Sequence, residues 1–184
     1  MEKPIEMSKF PVSLSPPQQA KLYMELELII CATANKFLMN QLKDNRMSPE
    51  SVKKITEFWK NKGRPQVLEF QFDQSTQRDL IVANQQTFRF HGERANNPLQ
   101  VNSMLYNWKA NAKQMSIRTF CNPDSVIQKH LHDSYKVLEL LGAEMATFLA
   151  LQEIHTTFNR IVRDCEALKA ATASIAHGVE RACK

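Results

Sequence analysis

Four times in this chain a side chain able to cap a helix stands directly before proline: Ser15 before Pro16 and Pro17, Ser48 before Pro49, Asn97 before Pro98, and Asn122 before Pro123. Serine and asparagine accept hydrogen bonds from the orphaned amides of a first turn, and proline at the next position has no amide to leave unpaired. Each pair therefore starts a helix, and each proline resists being the interior of a preceding one. A chain punctuated in this way folds as separate helices. The expectation is a mainly all-α fold, a bundle of five or six helices, arranged as an arm over 1–14 and one helical domain over 15–184.

The residues after each start carry helical periodicity. The first helix runs to about Asn45, with Leu22, Leu26, Ile29, Thr33 and Phe37 on one stripe and Leu28, Ile30, Leu38 and Leu42 loading neighbouring faces. A helix apolar on more than one side is central to a bundle or covered by a partner. Val52, Ile55, Phe58 and Trp59 give the second helix its face before Gly63 stops it; 15–63 thus holds the N-terminal helices. Val101, Met104, Leu105, Trp108, Ala112 and Met115 follow the third start, and Ile127, Leu131, Tyr135, Leu138 and Leu141 follow the fourth. The C-terminal helices fill 97–184.

Two stretches are less regular. Over 64–96, Leu68, Phe70 and Phe72 alternate with polar residues, as do Phe88 and Phe90, with a short helix beginning near Asp73 to Thr76 between them. Two short strands in a β-hairpin, or an irregular insertion whose phenylalanines plug the bundle, both fit this pattern. Residues 1–14 lack periodicity and read as a flexible or docking arm.

Gly142 interrupts the long C-terminal third and reads as a helix break, with the alternative of a small residue admitting a close neighbour. Beyond it Phe148, Leu151, Phe158, Val162, Cys165, Thr172 and Val179 keep a seam near 3.5 residues per repeat. His155, Lys169 and Ala176 occupy the intervening seam positions.

Composition removes several functional classes. Four glycines in 184 residues leave no glycine-rich phosphate loop, and no dinucleotide fingerprint, zincin motif or paired CxxC is present. Cys31, Cys121, Cys165 and Cys183 are too widely separated for a zinc knuckle or a disulfide scaffold and read as reduced thiols. The longest apolar runs are too short for a membrane span. An intracellular protein, nuclear or cytoplasmic, without cofactor and without membrane contact, is the expectation.

Three groups of residues carry candidate chemistry. If the chain turns at Gly142, His130 and His155 come to similar heights on facing helices, which permits a metal or proton-transfer site; a hydrogen-bonded seam histidine is the simpler reading. Cys121, near a helix start, has no base brought to it by any motif. The net charge of +5 is concentrated in the first two thirds, since 124–184 holds seven basic against eight acidic residues. Lys53, Lys54, Lys60, Lys62 and Arg64 form one basic run, with Lys43 and Arg46 before it; Arg89 and Arg94 begin a second. Converging in space, they would make a phosphate-binding surface; apart, they are solvated helix faces.

Within Val67 to Leu141, the segments Phe88-Arg89-Phe90, Leu105-Tyr106-Asn107-Trp108-Lys109, Ser116-Ile117-Arg118-Thr119-Phe120 and Lys129-His130-Leu131-His132-Asp133 resemble uncharacterised intracellular proteins of filamentous fungi. That resemblance implies a eukaryotic intracellular setting and assigns no activity to any residue.

The function expected from these features is that of a non-enzymatic helical module for protein–protein interaction, or a small subunit of a regulatory complex, binding another chain or itself. Leu28, Ile30, Phe148, Phe158 and Val162 are the candidate contact residues. The alternatives are a basic nucleic-acid- or chromatin-associated module, and a helical enzyme or ligand carrier with a site near His130 and His155.

Overall fold

The computed structural model describes residues 10–182, with side chains described through Ile175. Six α-helices follow in order: α1 (Pro16–Lys43), α2 (Pro49–Asn61), α3 (Gln74–Ala83), α4 (Pro98–Ile117), α5 (Asp124–Leu140) and α6 (Met145–Ala182), with a 3-10 turn (Glu93–Asn96) before α4. No strand occurs among the described residues, and the all-α expectation holds.

Proline is the first residue of three of the six helices and the N-cap of a fourth, and the caps differ in how they work. Asn97 accepts from the amides of Leu99 and Gln100, as a capping asparagine should. Ser15 uses a reciprocal arrangement with Gln18, whose carbonyl oxygen accepts from the Ser15 amide at 2.8 Å. Asn122 does not cap. Helix α5 starts one residue later than expected, with Pro123 as its N-cap, and the Asn122 side chain instead donates to the Tyr23 hydroxyl at 2.9 Å. Asp124 takes over the helix end by accepting from the Ser13 amide at 2.8 Å and hydroxyl at 2.7 Å. Those bonds, with the buried Leu14 and the Asp124 amide donating to the Pro11 carbonyl, dock 10–14 on the bundle. The expected arm is thus docked from Pro11 onward, and residues 1–9 lie outside the described residues.

Helix α1 packs against α3, α5 and α6. Its buried line is Leu22, Leu26, Ile30, Ala34, Phe37 and Leu38, so Ile30 belongs to the core and Leu28, 62% exposed, does not. The contact role expected of Ile30 is corrected by this burial. Phe158 is likewise in the core rather than on a docking face.

The 64–96 stretch forms no hairpin, and α1 explains why. A strand pair needs its backbone groups satisfied by a neighbouring strand. Here Asn35 of α1 accepts from the Phe70 amide at 2.9 Å, and Gln41 of α1 both accepts from the Arg89 amide at 3.0 Å and donates to the Arg89 carbonyl at 3.2 Å. Helix side chains thus stand where a second strand would. Glu69, at φ 49°, also breaks the extended path, leaving Leu68 exposed while Phe70, Phe72 and Phe88 are buried. Phe37 meets Phe88 edge to face and Phe90 stacked, both with ring centres 5.6 Å apart. The plugging alternative describes the molecule.

At Gly142 the chain turns. The Ala143 amide donates to the Leu138 carbonyl at 2.9 Å and the Gly142 amide to Glu139 at 3.1 Å, the paired bonds of a Schellman ending. Gly142 has φ +71°, and a Cβ there would lie 2.6 Å from the His91 ring. His91 is itself fixed, its amide donating to the Leu140 carbonyl at 2.9 Å. The turn sends α6 back along α1 and α5, and Lys36 of α1 pairs with Glu144 beside its start.

Gly142→Ala is expected to lower the unfolding free energy by about 2 kcal/mol, because a left-handed residue with a side chain is strained and the His91 ring must move. Gly63, at φ +65°, has open space around it, so Gly63→Ala should cost only about 1 kcal/mol. Urea denaturation of the two variants checks the ordering; equal losses would mean that the His91 contact carries nothing.

Candidate functional site

The turn at Gly142 brings α5 and α6 side by side, yet His130 and His155 do not meet. On a helix, two positions are about 200° apart, so His130 and His132 point in opposite directions. His132 faces α6 and shares with His155 a cleft of about 760 Å³ floored by Leu131 and Leu151. His130 turns inward and is 1% exposed. No group of three metal-ligating side chains occurs among the described residues, and the paired-histidine site is corrected on geometry. Phe148 lines the cleft, with its ring 5.4 Å from that of Tyr135.

His130 instead joins a buried chain of hydrogen bonds. Asn122 donates to the Tyr23 oxygen, Tyr23 lies 3.1 Å from His130 Nδ1, and His130 Nε2 lies 2.6 Å from the Gln114 carbonyl oxygen. The chain is satisfied throughout when Nε2 carries the proton and Nδ1 accepts from the phenol. Burial lowers the imidazole from 6.5 to about 4, assisted by the Lys129 charge and opposed by Asp133. Burial raises the Tyr23 phenol, against the bond from Asn122. At Asp133 burial also pushes upward, but the bonds from Lys129 at 2.5 Å and Asn111 at 3.2 Å prevail and hold the carboxyl below its ordinary value. A neutral, fully bonded histidine ties α1, α4 and α5 together; it is not poised for proton transfer to anything outside.

None of the three described cysteines has a hydrogen-bonded base beside it. Burial, with the charges of Glu27 and Asp73, pushes the Cys31 thiol up to about 12. Cys121 is exposed, and no hydrogen-bonded base stands beside it among the described residues. Cys165 is half-buried, and Cys183 lies outside the described residues.

The basic residues converge only in part. Arg64 is held by Asp73 at 2.6 Å and lies over the Trp59 ring, Lys62 lies over Phe58, and Lys53 faces Glu57 at 4.0 Å. Arg94 pairs with Glu139 at 2.9 Å. Lys54 and Lys60 are exposed on α2. Arg89, by contrast, comes beside Arg46 from the earlier run, in two adjoining hollows of about 550 and 270 Å³ that also share His91. The expected seven-residue basic surface is therefore not one surface.

Helix α6 shows what the sequence reading missed. Leu151, Phe158, Cys165 and Thr172 recur every seven residues, and so do Ile154, Ile161, Leu168 and Ile175, placed three after them. These are the a and d positions of a heptad repeat. The expected seam took the a positions correctly but paired them with His155, Val162 and Lys169, one residue beyond d. His155 and Lys169 are exposed, while Val162, like Ile161, is partly buried against the core. The signal that finds the true seam is the sevenfold spacing of the aliphatic residues at d. Its first half is core: Leu151, Ile154 and Phe158 are buried and Ile161 packs on them. Its second half has no cover among the described residues, with Leu168 70% and Ile175 68% exposed. Ala176 and Val179 lie outside the residues whose side chains are described.

No helix among the described residues is long and apolar enough to cross a membrane. Comparison with protein-family models, curated proteins and solved structures returned no match.

The depressed His130 value makes a pH prediction. Between about 6.5 and 4 the unfolded chain takes up a proton that the folded chain refuses, so His130 contributes stability fully present above 6.5 and lost as pH falls through that window. The loss is expected to be about 3 kcal/mol at most. Urea unfolding at pH 7 and pH 4 checks it: the pH-dependent part should shrink in His130→Gln, and an unchanged dependence would contradict the assignment.

Proposed function

We propose that the protein is a non-enzymatic helical interaction module that docks another helix on the carboxy-terminal half of α6. The observation carrying this reading is the uncovered half of the heptad, Cys165, Leu168, Thr172 and Ile175, continuous with a half that the core does cover. Apolar residues at a and d on a helix surface are stable when a second helix fills the spaces between them. From Arg163 to Ala182 the helix runs about 30 Å, enough for nearly three heptads.

The same geometry restricts how far along α6 a partner can lie. A partner lying along this face and running past Cys165 toward the start of α6 would meet α1 and α5, which cover the face there. The docked helix must therefore end near Cys165. A second copy satisfies this by pairing antiparallel, its tail ending where the first bundle begins. A helix from a different chain satisfies it with either polarity. Leu28 adds a second exposed apolar residue beside α6, in a groove of about 540 Å³ between α1 and α6 that also includes Ile29 and Phe158.

Leu168→Glu with Ile175→Glu should leave the fold intact, because both side chains lie outside the core, while abolishing docking. Light scattering of the purified chain reads self-association: a dimer that becomes monomer in the double variant supports the antiparallel version. Affinity purification from cells, comparing the two proteins, reads a different partner. A recovered set of proteins identical for both, together with an unchanged oligomeric state, would defeat the reading.

A further inference from the structure

The two hollows beside the C-terminal end of α1 hold an excess of positive charge that the described residues only partly offset. Lys43, Arg46, Arg89 and His91 line them, with Asp44 the one carboxylate among the lining residues. Asp44 lies 3.6 Å from Arg46. Among the described residues neither the Arg89 guanidinium nor the Lys43 ammonium has a hydrogen-bonded or ion-paired partner. Arg64 and Arg94, by contrast, are each paired with a carboxylate.

The two arginines come from separate segments, and both segments are fixed. Gln41, 3% exposed, grips the Arg89 backbone through its amide and its carbonyl. The Thr87 hydroxyl donates to the Arg46 carbonyl at 2.6 Å. Side-chain bonds thus bring both arginines to the same hollows. One carboxylate, Asp44, stands against three fixed cations there, and an anion bound among them would offset the remaining charge.

We propose that this groove is a binding site for a phosphomonoester dianion. Two guanidiniums and an ammonium against one carboxylate leave a charge near +2, matching the dianion. Planar guanidinium forks suit phosphate oxygens, which accept two parallel N–H bonds. A polymer of phosphodiesters fits less well. It needs cations spaced along its path, and Arg94, beside the lining residues Gly92 and Ala95, is already paired with Glu139. The site is independent of the docking face on α6.

Isothermal titration of the full chain with phenyl phosphate tests the proposal, with diphenyl phosphate and a single-stranded oligonucleotide as comparison ligands at equal ionic strength. Saturable binding of phenyl phosphate is expected, at least tenfold tighter than the diester. Arg46→Gln with Arg89→Gln should weaken it at least tenfold, while Lys60→Gln, on α2, should change it less than twofold. Thermal melts establish that each variant is folded, and Arg89→Lys, which keeps the charge without the fork, should retain intermediate affinity. No saturable binding at millimolar ligand would overturn the proposal. So would equal loss in Lys60→Gln, or an oligonucleotide bound as tightly as the monoester.

Discussion

The left-handed turn at Gly142 is the constraint on which the arrangement of the long helices depends. With the chain reversed there, α6 lies against α1 and α5, and its apolar face finds a core to enter. The turn holds because three things coincide at one residue: the Schellman bonds close the end of α5, glycine accepts the positive φ, and the His91 ring fills the space a side chain would need. His91 in turn belongs to the irregular stretch before α4, so the turn also fastens that stretch to the bundle. The aromatic contact of Phe37 with Phe88, Phe90 and His91 extends the same junction into α1.

Helix α1 does two jobs, and its polar residues matter as much as its leucines. Asn35, Gln41 and Gln19 each satisfy backbone groups of segments that have no regular structure of their own. Gln19 is fully buried, donating to the Asn122 carbonyl and accepting from the Asn122 amide, both at 3.0 Å. Buried amides of this kind lose much if either partner goes, since an unpaired polar group in the core is costly. They fix the path of the connecting chain, and through it the positions of Tyr23, His130, Arg46 and Arg89.

The helices were legible because capping residues, prolines and apolar periodicity act locally. The plugging of the bundle by Phe70, Phe72 and Phe88 was legible only as one of two alternatives. Choosing between them required knowing that Asn35 and Gln41 would supply the hydrogen bonds, and those residues are 35 and 48 positions away from the amides they serve. The separation of His130 from His155 followed from the 100° step of a helix, but which of His130 and His132 faced α6 depended on where α1 and α4 lay. On α6 the error was one residue of register. Val162 and Phe148 drew the seam toward the e positions, and the d residues Ile154, Ile161, Leu168 and Ile175 were passed over although they repeat every seven residues. Convergence of Arg46 with Arg89 had no local signal at all.

The heptad of α6 is divided between two roles, and the division falls between Val162 and Cys165. Up to that point the bundle covers it; beyond it, the described residues leave Leu168 and Ile175 exposed. Hydrogen exchange read by mass spectrometry along α6, over a dilution series of the purified chain, tests this most directly. The account predicts slow exchange through Leu151–Val162 at every concentration and a sharp rise in rate beyond Cys165 in the most dilute sample. Protection of 165–175 equal to that of the core at the lowest concentration would contradict it, because the face would then be covered within its own chain.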